Sequence, residues 1–288
     1  MPSVAEQALE WLEKVKGHQV TVVGDDIVDE YVYVRPAGKS AKDNLVTFVS
    51  DGRKLWPGGA RIIHRHLEAL GCEATLCTTE RPVVKTRYVD TAFSQKVFSV
   101  CNTDSAGLLV PWADNSMHLL IADFGHTQSV VTPGNDSFVS LMVQSNSLNW
   151  GFNPVTKYKQ ADYLVCDEME LRLATHNNWD AVEGLVKALA AHMRVRMMVV
   201  TLGHKGALMY DRLGGCDFHV FPAHARNVVD RMGAGDAFLA ASAPLAALGA
   251  PAQVVGMVGS VAAGLHVEQE GNPPLCRERL IERLKELA

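Results

Sequence analysis

Seven consecutive residues of this 288-residue chain, Asp230-Arg231-Met232-Gly233-Ala234-Gly235-Asp236, combine small and acidic side chains and run directly into an apolar helix at Ala237-Phe238. Small residues at a helix start let backbone N–H groups converge, and the helix dipole favours an anion at that end. Asp236 falls in the first turn, facing whatever the amides of Gly233, Ala234 and Gly235 hold. A carboxylate repels a bound phosphate, so binding alone does not explain it. It suits a base that takes a proton from a hydroxyl attacking phosphorus, while amides and a metal neutralise the developing charge. The plainer reading is a carboxylate that complements the helix dipole after a tight turn.

Other candidates carry less. Lys85 and Arg87 are period-two neighbours on one face of a strand, where they could neutralise a substrate phosphate or keep an edge strand soluble. His64 and His66, two apart on a helix, do not share a face and are expected to be solvated rather than metal-bound. Gly38-Lys39-Ser40 ends like a phosphate-binding loop but lacks the glycine and the strand-to-helix setting that loop requires. Gly233-x-Gly235 has no third glycine and lies too late for a dinucleotide site. Six cysteines, at 72, 77, 101, 166, 216 and 276, form no CxxC pair or zinc spacing and read as small buried residues in a reducing compartment.

These residues need a scaffold, and the hydrophobic pattern supplies one. Short β-branched runs at 20–23, 74–78, 119–122, 150–153, 163–166 and 197–201 alternate with helical patterns at 61–70, 136–145, 168–175 and 181–192. That alternation predicts an α/β fold with a mostly parallel, doubly wound sheet. A late hairpin is expected from 207–210 with 218–221, and residues 1–17 and 277–287 read as amphipathic helices. Residues 31–34 with 45–49, and 83–89 with 96–101, alternate polar and apolar residues as half-exposed antiparallel strands do. They could form a lid over the carboxyl ends of the parallel strands, or a surface hairpin without a role.

The motif at 230–236 resembles the C-terminal signature of ribokinase-like, pfkB-type carbohydrate kinases. The likeness extends over nearly the whole chain through Gly24-Asp25-Asp26-Ile27-Val28-Asp29, Pro57-Gly58-Gly59-Ala60, Asp167-Glu168-Met169-Glu170, and Thr201-Leu202-Gly203 with Gly206. Within the family it is most similar to kinases of D-glycero-D-manno-heptose 7-phosphate, through residues 25–34, Lys85-x-Arg87, Ala122-Asp123-Phe124 and Asn153-Pro154. The resemblance implies a three-layer α/β/α core with a small β-sheet lid, residues 1–288 forming one domain and the lid drawn from about 30–50 and 83–101. It implies Asp236 as base with Gly233, Ala234 and Gly235 as anion hole. Asp25, Asp29, Gly58, Gly59, Lys85 and Arg87 would face the sugar. Thr201, Gly203, Gly206 and Asp230 would lie along ATP, Glu170 would support Mg2+ through water, and a monovalent cation could sit near Asp230. Met232, Ile62 and Asp167 depart from the family pattern, and Glu80 runs almost straight into Val83 where relatives place a further strand and helix. A pseudokinase that binds nucleotide or sugar, or serves an assembly, is therefore the alternative to an active kinase.

Composition bounds the rest. With 48% hydrophobic and 20% charged residues the chain can bury a large core, and a net charge of -5 offers no field for nucleic acid or an anionic membrane. Residues 237–267 carry no charge, but Pro244 and Gly249-Ala250-Pro251 break the run into two core helices rather than a membrane span. The expectation is a cytoplasmic protein that forms a homodimer lid to lid.

Overall fold

The computed structural model describes residues 2–93, 95–102, 116–127, 130–134, 136–215 and 217–288; Cys216 lies outside them. The chain opens with α1 (Val4–Lys14), then β1 (Gln19–Gly24), and passes straight into two long strands, β2 (Asp26–Lys39) and β3 (Val46–Gly58). It continues through α2 (Gly59–Leu70), β4 (Glu73–Thr78), β5 (Val83–Asp90), β6 (Gln95–Asn102), β7 (His118–Asp123), β8 (Phe138–Val143) and β9 (Tyr163–Asp167). After these come α3 (Glu168–Thr175), α4 (Val182–His192), β10 (Met197–Thr201), β11 (Ala207–Asp211), β12 (Asp217–Phe221), α5 (Ala234–Ala247), α6 (Ala252–Val267) and α7 (Arg277–Glu286).

Eight strands form one sheet in the order β12-β11-β10-β9-β8-β7-β1-β4. It is parallel except at β11 and β12, which close it as an antiparallel hairpin. Helices cover both faces. Apolar residues of α1, α2, α5, α6 and α7 share one core cluster, and those of α3 and α4 share the other. The sheet order reverses at β1, whose neighbours β4 and β7 lie on opposite sides. Such a switch point opens a crevice at the carboxyl ends of the strands. Gly24 ends β1 because a Cβ there would overlap the Ala122 carbonyl on β7.

The remaining four strands make a second sheet, β3-β2-β5-β6, that rises from those carboxyl ends. Period-two alternation aligns Asp29 with Lys85 and Tyr31 with Arg87 across the parallel β2/β5 pair, so these four side chains share one face. The expected small sheet is thus present, separate from the large one. On the core side, α5 and α6 pack tightly: Gly259 faces the Phe238 ring where a Cβ would lie 2.6 Å from it. No helix among the described residues is long and apolar enough to cross a membrane.

Two expected elements are corrected. Residues 136–145 contain the strand β8, not a helix. This strand lies inside the sheet with core clusters on both faces, so its apolar residues lose the period of two. Residues 150–153 are a turn, not a strand, and leave Trp150 and Phe152 exposed. Asn side chains hold the approach to it: Asn146 accepts the Leu148 N–H at 2.9 Å, and Asn149 accepts that of Asn146 at 2.9 Å.

Candidate active site

The site is built on the first turn of α5. Gly233 caps the helix in the left-handed region at φ 76°. A Cβ there would overlap Asn272 Oδ1 and sit 2.7 Å from His266 Nε2, so both conformation and space demand glycine. The first intrahelical bond runs from the Ala237 N–H to the Gly233 carbonyl at 2.9 Å. The N–H groups of Ala234, Gly235 and Asp236 precede it and have no helical acceptor, and they add to the positive end of the helix dipole.

Those residues line a cavity of about 280 Å³ with Ile27, Asp29, Gly59, Lys85, Arg87 and the strand ends Asp167 and Thr201. Asp236 is buried in its wall. Burial, then the nearby Asp29 carboxylate, pushes the Asp236 carboxyl up to about 7, against the pull of Lys85. Asp29 is ion-paired with Arg87. Lys85 has no such partner among the described residues; its ammonium lies 6.0 Å from the Phe124 ring, and burial lowers its pKa. A desolvated cation in no direct ion pair among the described residues, facing a cavity, suits an anionic ligand.

A second cavity, of about 310 Å³, lies on the other side of the same helix start. It is lined by Thr201, Gly203, Gly206, Ala223, Val228, Phe238 and Gly264, among others. Gly206 takes φ 92° against the Phe221 carbonyl, a close approach that excludes any side chain. Thr201, Arg231, Ala234 and Gly235 line both cavities, so the two meet at the head of α5. The arrangement offers one cleft on each side of a cluster of backbone donors, with a buried carboxyl on the smaller side.

Most residues expected at the site are brought together there: Asp236, Gly233, Ala234, Gly235, Asp29, Gly59, Lys85, Arg87 and Glu170 line the first cavity, and Thr201, Gly203 and Gly206 the second. Three are placed elsewhere. Asp25 is buried behind the wall, where one carboxylate oxygen accepts the N–H groups of Phe124 at 2.8 Å and His126 at 3.3 Å. Burial and Asp123 raise its pKa. Gly58 caps α2, where a side chain would meet Asp29 Oδ2 at 2.5 Å.

Asp230 faces neither cavity. It accepts the Tyr31 hydroxyl at 2.6 Å and the Lys96 ammonium at 2.9 Å, so it latches the small sheet to the core. Burial pushes its carboxyl up, but these two bonds, with the Met232 N–H and the Lys96 charge, together outweigh burial and hold it low. Both oxygens have protein donors, which leaves a monovalent cation no evident need there.

Glu170 and Asp167 form a reciprocal capping box at the start of α3. Glu170 accepts the N–H of Ser145 at 3.0 Å and of Asp167 at 2.9 Å. Burial and the Asp167 and Asp236 carboxylates raise its pKa well above the carboxylate range. His66, expected to be solvated, is fully buried, because its side of α2 is the core face with Ile62, Ile63 and Leu70. Sequence reading missed Arg231, Gln144 and Asn272 in the cavity walls. Arg231 lay within the motif and could have been found there; Asn272 has no local signal and reaches the site only through tertiary packing.

Residues 141–275 match the model of the pfkB family carbohydrate kinases. That segment belongs to the pfkB family. Of the expected residues, Glu170, Thr201, Gly203, Gly206 and the 230–236 turn fall inside the pfkB-type segment; those of the sugar side, from Asp25 to Arg87, precede it. The chain is also 21% identical over 322 residues to the bifunctional protein HldE of Citrifermentans bemidjiense, covering 94% of this chain and 64% of that one. It therefore spans about two thirds of the length of this relative. The ribokinase of Thermotoga maritima matches 93% of this chain and 99% of its own with TM-score 0.70 at 18% identity. The ribokinase of Arabidopsis thaliana, solved with ribose and ATP, matches 94% and 99% with TM-score 0.69 at 17% identity. The fold is ribokinase-like.

Proposed function

We propose that this protein is a sugar kinase that transfers the γ-phosphoryl group of ATP to a hydroxyl of a sugar phosphate. The observation that carries the reading is the buried Asp236 carboxyl, poised near 7 beside the backbone donors of α5, between two cavities that share those donors. A base with that pKa is half ionised near neutral pH and can take a hydroxyl proton. The Gly233, Ala234 and Gly235 N–H groups would stabilise the charge on the transferring phosphoryl. Asp29, held by Arg87, would orient sugar hydroxyls, and Lys85 would meet the phosphate already on the substrate. The likeness to HldE, whose name marks a bifunctional protein, favours a heptose phosphate among such acceptors.

The residues present fit a divalent cation brought with the nucleotide. Asp167, Glu170 and Asp236 line one cavity; burial first, and neighbouring carboxylates second, raise Glu170 and Asp236, and no cluster among the described residues forms a metal site of its own, so the cation would arrive with the nucleotide. Glu170 and Asp167 would hold Mg2+ through its water, and the cation would shield the phosphates and steady the leaving oxygen. The small sheet, latched through Asp230, would keep water from the cleft. Its outer face exposes Val46, Val49, Leu55, Phe98 and Val100, which supports a homodimer formed there.

One observation favours the second reading, a pseudokinase. Both Glu170 oxygens already accept backbone N–H groups, which leaves less capacity for a hydrated cation. Calorimetric titration with ATP and Mg2+, followed by a transfer screen over sugars and sugar phosphates, separates the two. Binding with transfer to a sugar phosphate is the expected result. Binding without transfer to any acceptor would favour the pseudokinase, and no nucleotide binding would refute the kinase reading.

A further inference from the structure

Beneath the Gly233 turn lie two buried histidines that the chemistry above leaves unused. His66 on α2 and His266 on α6 are both fully buried, with ring centroids 5.3 Å apart and planes at 87°. Their backbone partners fix the proton on each ring. A carbonyl only accepts, so the 3.0 Å contact of His266 Nε2 with the Met232 carbonyl puts the hydrogen on Nε2 and leaves Nδ1 bare. The Leu275 N–H donates to His66 Nδ1 at 3.0 Å, so the neutral His66 ring carries its hydrogen on Nε2. The two ring nitrogens without a protein partner, His66 Nε2 and His266 Nδ1, are thus a donor and an acceptor on adjacent rings. Burial, and then the neighbouring His266, keeps His66 neutral. Burial also outweighs the Met232 bond and lowers the pKa of His266.

The two rings meet edge to face with no hydrogen bond between them, so the His66 ring seats His266 by packing while the His266 Nε2–H alone holds the Met232 carbonyl. That carbonyl shares a rigid plane with the Gly233 N–H. A donor fixed on one end of the peptide therefore fixes the direction of the other. The other side of Met232 is held as well, its N–H directed to Asp230 at 3.2 Å. Asn272 seats the other side of the turn and ties it to the small sheet by donating to the Pro57 carbonyl at 2.9 Å.

We propose that His266, seated by His66, is a positioning residue for phosphoryl transfer. Its Nε2–H holds the Met232–Gly233 peptide so that the N–H groups at the head of α5 face the transferring group. His66 packs the His266 ring against α2, whose first residue Gly59 lines the same cavity. The role rests on the kinase reading above, so the test must separate the two.

Titrate the wild-type protein with Mg2+ and ADP, with and without aluminium fluoride, a mimic of the transferring phosphoryl, and repeat with His266→Leu and His266→Gln. The glutamine amide donates from about the Nε2 position; leucine cannot. In His266→Leu, ADP affinity should stay within about threefold, while the gain from aluminium fluoride and kcat should each fall roughly 10- to 100-fold, with KM for both substrates little changed. His266→Gln should recover most of both. His266→Asn, whose amide stops near the Nδ1 position, should lose as leucine does and serves if the leucine variant does not fold. Equal losses in His266→Gln and His266→Leu, or a loss wholly in KM, would overturn the positioning role. So would an undiminished gain in His266→Leu, and the kinase reading would then stand. If the wild-type protein itself gains nothing from aluminium fluoride, the kinase reading falls and the proposal with it.

Discussion

Replacing Asp236 by Asn should stabilise the protein above neutral pH while removing its base. Folding raises this carboxyl from an ordinary 3.8 to about 7. The folded state therefore holds the proton more tightly than the unfolded chain, and the wild-type protein loses stability as pH rises from about 4 to about 7. Each unit is worth about 1.4 kcal/mol, so the full penalty above pH 7 is about 4 kcal/mol. Between pH 5 and pH 8 roughly 2–3 kcal/mol of it develops. Asn keeps the shape and cannot ionise, so its own contribution is the same at every pH, and whatever the helix dipole gives the wild-type carboxylate is already contained in its pKa of about 7. Urea unfolding of both proteins at pH 5 and pH 8, extrapolated linearly, reads the difference. The excess stability of Asp236→Asn should grow by about 2–3 kcal/mol over that interval. Parallel pH dependences would mean that Asp236 is not held protonated by its surroundings. The same pKa predicts that wild-type kcat/KM falls about tenfold per unit below pH 7.

Further tests follow from the same geometry. Gly233→Ala must adopt φ 76° and overlap Asn272, so urea unfolding should show a loss of about 2–4 kcal/mol; Gly249→Ala, at φ 80° but with open space around it, should lose only about 1 kcal/mol. Lys85→Met should raise KM for a phosphorylated acceptor about tenfold or more in steady-state assays and leave a neutral sugar unaffected, in line with about 1.5–3 kcal/mol for a charged hydrogen bond. Tyr31→Phe removes the 2.6 Å bond to Asp230 and should cost about 1–2 kcal/mol, with faster hydrogen exchange along β2 as the local readout.

The head of α5 was legible because its chemistry is local: glycine conformation, small side chains and a first-turn carboxylate follow one another along the chain. The two sheets were legible for a similar reason, since burial on one face leaves a period of two and burial on both leaves a β-branched run. Residues 138–143 misled because Ser140 interrupts the run, and only the tertiary fold gives it a partner, accepting or donating to His118 Nε2 at 2.9 Å. Trp150 and Phe152 misled because apolar type was read as burial; the Asn-rich segment before them held the turn signal. His66 was misjudged by asking whether it shared a face with His64 rather than which face it shared with Ile62, Ile63 and Leu70. The lid latch at Asp230 and the wall residue Asn272 had no signal, because their partners Tyr31 and Pro57 lie about 200 residues away in sequence.

The central claim is that this chain moves a phosphoryl group and that Asp236 takes the acceptor proton. The most direct measurement follows the 31P resonances of ATP, Mg2+ and a panel of sugar phosphates, heptose phosphates among them, with the wild-type protein and with Asp236→Asn. A new phosphoester should form with the wild-type protein, and Asp236→Asn should form it at least about 100-fold more slowly. Product formation at full rate by Asp236→Asn, or binding of ATP with no new phosphoester from any acceptor, would contradict the account.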